Sequence, residues 1–69
     1  MVNTTFLSSS IQASGKNKEE LAGKCGITLK DFLQKCDGKR DFKASEIQVL
    51  CEELNITDIQ ERMKIFFDH

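Results

Sequence analysis

Three cysteines, one histidine and a run of three serines are the residues of this 69-residue chain that could do covalent chemistry. Nucleophilic catalysis needs a nucleophile held against a base, and none of these has one at workable spacing. The histidine, His69, is the last residue, and Ser8-Ser9-Ser10 has no base nearby, so the serines read as a solvated helix face. Cys25, Cys36 and Cys51 are odd in number and match no paired-ligand spacing such as C-x-x-C. Each falls where a helical pattern asks for an apolar residue, so they read as reduced, buried thiols. There is no glycine-rich phosphate loop, and so small a domain has little room for a substrate pocket. No enzymatic activity, cofactor or metal is expected.

Binding chemistry remains. The net charge of −1 conceals an uneven distribution. Residues 16–43 carry eight Lys/Arg against five Asp/Glu, residues 44–69 carry two against six, and residues 1–15 are uncharged. A basic excess confined to one segment is what contact with phosphates requires. Within it, Lys30 and Gln34 are four residues apart, one helical turn, and Lys39-Arg40 follows a turn signature at Asp37-Gly38. Gln can pair with adenine N6 and N7 through two hydrogen bonds, and basic side chains can hold phosphate oxygens.

The elements that must position these residues are helices. The stretch from Asn17 to Gly38, NKEELAGKCGITLKDFLQKCDG, predicts helices over 18–25 and 29–36 around a tight turn at Cys25-Gly26-Ile27-Thr28. Asn17 caps the first with Glu20 in the reciprocal position, and Thr28 caps the second with Asp31 in that role. Leu21, Ala22 and Cys25 form the inner stripe of one, Phe32 and Cys36 that of the other, with Lys30 and Gln34 pointing furthest outward. Phe6, Leu7 and Ile11 predict a helix over 3–14, capped by Asn3 or Thr4 and stopped by Gly15. Ile47, Leu50, Cys51 and Leu54 predict a regular amphipathic helix over 44–54, stopped by Asn55. A short fifth helix is expected over 58–64, and Phe66-Phe67 could finish the core, form an edge strand or dock on a second copy. The chain is expected to be a single domain over 1–69. No apolar run approaches the roughly 20 residues a bilayer span requires. Nothing reads as a secretory signal, so a cytoplasmic setting is expected.

The segment ELAGKCGITLKDFLQKCDGKRDF resembles the Cro/repressor (XRE-like) helix-turn-helix proteins. Their usual pattern is E-L-A-x-x-(apolar)-G-(I/V)-(S/T), then a helix ending near (N/D)-G-(K/R). Glu20-Leu21-Ala22, Gly26-Ile27-Thr28 and Asp37-Gly38-Lys39 fall in register. The later ASEIQVLCEELNIT, followed by IFF, looks like the small Cro-like regulators of prophages in Gram-positive bacteria. The resemblance implies a compact all-α, four- to five-helix, lambda-repressor-like domain in a bacterial cytoplasm. It would bind double-stranded operator DNA, commonly as a dimer on paired half-sites. It also implies roles by position. Thr28, Lys30 and Gln34 would face the groove with Leu29 and Leu33 beside them, while Asn17, Lys18, Lys39, Arg40 and Lys43 would approach phosphates.

The chain departs from the pattern in three ways: leucines stand near groove-facing positions, Asp31 brings a negative charge toward the phosphates, and Lys43 occupies a cap position. Leu29 and Leu33 have three readings: core, a thymine-methyl contact, or a protein-binding surface. Two functions follow from different classes. One is a sequence-specific DNA-binding repressor. The other is an interaction module of the same fold that modulates a partner repressor, an antirepressor-like role. A homodimer contact is expected through Phe66 and Phe67.

Overall fold

The structure, a computed structural model, describes residues 2–67. Its five helices are α1 (Thr4–Ser14), α2 (Lys18–Cys25), α3 (Leu29–Cys36), α4 (Ala44–Glu53) and α5 (Ile59–Phe66), and no strand occurs among the described residues. The chain is all-α, as its periodicity implies.

Each start follows from a side chain that supplies a missing acceptor. Asn3 Oδ1 accepts from Phe6 N at 3.1 Å, Asn17 Oδ1 from Glu20 N at 2.7 Å, Thr28 Oγ1 from Asp31 N at 3.1 Å, and Asp58 Oδ1 from Gln60 N at 2.9 Å. Lysine cannot accept, so at α4 the bond runs the other way: Glu46 Oε1 reaches back to Lys43 N at 2.8 Å. The ends are equally local. After α2, α3 and α4 an amide donates back five residues, Ile27 to Ala22, Lys39 to Gln34 and Ile56 to Cys51. The residue just before each donor is left-handed and makes the reversal possible: Gly26 at φ 75°, Gly38 at φ 80° and Asn55 at φ 57°.

Helix α2 packs on both α3 and α4, and α1 packs on α5 and α3. Leu7, Leu21, Phe32, Leu50 and Ile65 fill the centre and are almost wholly withdrawn from water. Ala22 on α2 is buried in this cluster, where its small size lets α2 pack closely on its neighbours, and Ile27 packs in the turn against the same cluster. The connection from α3 to α4 is anchored by Phe42, whose ring meets Phe32 at 6.1 Å and Phe66 at 5.7 Å, both edge to face.

Of the three readings open to the C-terminal phenylalanines, Phe66 takes the first. It lies in the core against Phe42, so it offers no surface to a second copy, whereas Phe67 stays half-exposed. Among the described residues no helix is long and apolar enough to cross a membrane.

Candidate nucleic-acid interface

Helix α3 turns one side inward and one outward. At about 100° per residue, Phe32, Lys35 and Cys36 share the inner arc, and all three are buried. Lys30 lies opposite and is exposed, Gln34 beside it is half-buried, and Thr28 is exposed at the helix start. Leu29 and Leu33 retain 36% and 37% of their accessible surface, which overturns the core reading for both. The reason is the rotation of the helix: burial centres on Phe32 and Lys35, leaving Leu33 well outside the arc and Leu29 at its edge.

The supporting elements carry the remaining candidates. Asn17 spends its side chain on the α2 cap, while Lys18 one residue on is exposed. Lys39, Arg40 and Lys43 are all exposed on the α3–α4 connection. Arg40 is not idle there, because its Nη1 lies 3.2 Å from Asp31 Oδ1. Asp31 thus answers Arg40 in place of a reciprocal cap bond, and its charge is offset beside the outward face. Both partners are well solvated, so the pair is worth about 0–1 kcal/mol and can open at little cost.

The basic excess of residues 16–43 is smaller at the surface than the sequence suggests. Lys16 pairs with Glu53 at 2.9 Å, Arg40 with Asp31, and Lys35 is buried against Glu46. Lys18, Lys24, Lys30, Lys39 and Lys43 have no ion pair among the described residues.

The Lys35–Glu46 pair is what sequence reasoning missed. Lys35 Nζ lies 2.6 Å from Glu46 Oε1 and 2.8 Å from Oε2, with side-chain exposures of 8% and 5%. Burial would raise the Glu46 carboxyl. The hydrogen bonds from Lys35 and from the Lys43 amide, with the charges of both lysines, outweigh it and hold the carboxyl below its ordinary value. Two signals point to the pair: Lys35 stands three residues after Phe32, on the same side of the helix, and Glu46 occupies the capping position of α4.

The thiols are not poised for chemistry. Burial lifts Cys36 to about 11 and pushes Cys25 and Cys51 up as well. All three are free thiols, and no cluster that could hold a metal occurs among the described residues; His69 lies outside them. Hollows exist despite the small size. One of about 280 Å³ is lined by Val2, Phe42, Ile47 and Phe66 with Asp41 as its titratable group, and one of about 310 Å³ is lined in part by Cys51. Each is open, and neither brings an activated nucleophile to a base.

A different surface lies on α5. Ile59, Met63 and Phe67 recur every fourth residue and are exposed, and Phe6 of α1 is exposed with the Lys64 ammonium 4.3 Å from its ring centroid. Compared with known proteins, the chain matches no family model, no curated protein and no solved structure.

Proposed function

We propose that this chain is a sequence-specific DNA-binding regulator of transcription, a Cro-like repressor that reads operator DNA with α3. The observation that carries the reading is the outward side of α3. Thr28 and Lys30 are exposed there beside Gln34. Lys18, Lys39 and Lys43, without ion pairs among the described residues, stand on the segments before and after the helix. A helix about 10–12 Å across suits a major groove about 12 Å wide. In this arrangement Gln34 takes adenine N6 and N7, Lys30 takes guanine O6 and N7, and Leu33 lies on a thymine methyl. Lys18, Lys39, Arg40 and Lys43 set the register on phosphates, and Asn17 supports them by holding the start of α2. Paired half-sites call for a dimer, and with Phe66 in the core the candidate contact narrows to Phe67. A Phe67→Ala chain that still scatters light as a dimer removes that contact. The reading needs no cofactor or metal.

The test is a titration against duplex DNA flanking the chain's own gene at two salt concentrations. Each neutralised phosphate contributes about −0.9 to the slope of log affinity against log salt. Replacing Lys39 and Arg40 by Ala flattens the slope by about two such steps. Gln34→Ala relaxes the preference among sites and leaves the slope nearly unchanged. Failure to bind either this DNA or random duplex at low salt sinks the reading.

The half-exposure of Leu29 and Leu33 supports a second reading, an interaction module that binds a partner repressor through the same face. A conservative truncation of Leu33 separates the two. Replacing it with a smaller apolar side chain at the same position, Leu33→Ala, should sharply weaken capture of a protein partner, but if DNA is the ligand it should leave the salt slope unchanged and lower affinity only by the lost methyl contact.

A further inference from the structure

We infer that the buried Lys35–Glu46 pair is a positioning device for phosphate contact: it clips together the two ends of the 37–43 connection and so presents Lys39, Arg40 and Lys43. The inference rests on the DNA-binding reading above. Lys35 stands in the last turn of α3 and Glu46 in the first turn of α4, eleven residues apart, and their charged groups meet at hydrogen-bond distance. Helix α2 packs on α3 and α4 more extensively than they pack on each other, and among the described residues the pair is the polar link between their side chains.

Glu46 does two jobs with one carboxylate. Oε1 receives both Lys35 Nζ and the backbone amide of Lys43, so the cation, the start of α4 and the last residue of the connection are tied at one point. From the inner side Phe42 is held between Phe32 and Phe66. The connection is thus pinned at Lys43 and Phe42, and Gly38 closes its other end through the Lys39 amide on Gln34. Between the pins, Lys39 and Arg40 are exposed to solvent.

Stability alone is a weak reason for such a pair. Taking two ions out of water costs about what their attraction returns, and apolar replacements of similar volume are often neutral or better. What an apolar pair lacks is direction: it would fill the space without fixing the Lys43 amide or the angle at which the connection leaves α3. Preorganising basic side chains lowers the ordering cost when the phosphates arrive.

The double variant Lys35→Met/Glu46→Gln tests this without changing net charge, and the carboxamide it places at position 46 can still accept from the Lys43 amide. The folded variant is expected to melt near the wild type but to bind DNA about tenfold more weakly. Its salt slope is expected to be shallower by about 0.9 to 1.8, one or two phosphates. Exchange of the Lys39 amide, which donates to the Gln34 carbonyl, should be about tenfold faster in the free protein. Lys35→Arg, which keeps the pair, should retain the wild-type slope. If the double variant is unstable, Lys35→Leu/Glu46→Gln, which also keeps the net charge and removes the link, should shift slope and exchange in the same direction. A wild-type slope in either folded variant overturns the inference, whatever the exchange rates. Absence of salt-dependent binding by the wild type itself overturns the DNA reading and this inference together, so the two failures are told apart.

Discussion

The centre of the molecule and the seam beneath the α3–α4 connection are both withdrawn from water, by opposite means. At the centre, Leu7, Leu21, Leu50 and Ile65 close around Phe32 with no polar side chain among them. At the seam, a lysine and a glutamate are buried nearly as deeply and satisfy each other's hydrogen bonds. Apolar packing is insensitive to direction and tolerates change if volume is kept. A buried ion pair depends on both partners, their geometry and their protonation. This small domain therefore keeps its strength at the centre and its orientation at the seam.

The largest loss is expected at the apolar centre. Phe32→Ala removes a ring that is fully buried and also supports Phe42. It is expected to cost about 3–5 kcal/mol, comparable to the whole stability of a domain this size. Urea denaturation measures it, and a loss below about 1 kcal/mol would mean that the centre can collapse around the gap.

The seam should behave differently under single and double substitution. Lys35→Met alone leaves the Glu46 carboxylate buried without its cation, at an expected cost of about 3 kcal/mol. Adding Glu46→Gln should return most of it. If the two substitutions simply add, the pair is not acting as a unit.

Acid probes the same contrast more gently. The Glu46 carboxyl is held below its ordinary value of 4.5 in the folded chain, so its contribution to stability is fully present above about pH 4.5. It is lost as the pH falls through the lower, folded value. Glu53, lowered by its hydrogen bond from Lys16, changes in the same direction. Thermal melting between about pH 6 and 3 should therefore fall more steeply for the wild type than for Lys35→Met/Glu46→Gln. Parallel curves would show that the seam does not titrate with folding.

The smallest effect comes from outside both regions and gives them a baseline. Gly23 sits within α2, and a Cβ there would meet nothing within 4 Å. Gly23→Ala should stabilise the chain by about 0.5–1 kcal/mol through helix propensity alone. Thermal melting reads the gain, which needs neither the centre nor the seam to change. A loss of DNA affinity in that more stable variant would mean that the ligand backbone comes close to α2 at this point.

The helices are legible because their signals are local. Asn3, Asn17, Thr28 and Asp58 bond to amides two or three residues away, and Gly26, Gly38 and Asn55 act on the turn that contains them. All five elements lie within two residues of where caps and periodicity put them. The surface is legible only in part. Lys30 and Thr28 are exposed as the helical wheel requires, but Leu29 and Leu33 stay open to several readings because a short helix has no unique inner arc until its neighbours dock. Arg40 and Lys16 are each bound to a carboxylate that spacing does not identify.

An all-α chain, the position of its five helices and the outward turn of Lys30 follow from the order of residues, since each depends on interactions within one helix or one turn, whereas Gln34 turns half inward. Packing between helices set the rest. It buried Phe66 beside Phe42, exposed two leucines, and took Lys35 out of the basic surface to meet Glu46 across the α3–α4 connection. The physical reason is reach. A cap or a left-handed glycine is settled within about one turn of chain, whereas the fate of an apolar or charged side chain depends on which distant surface arrives to cover it.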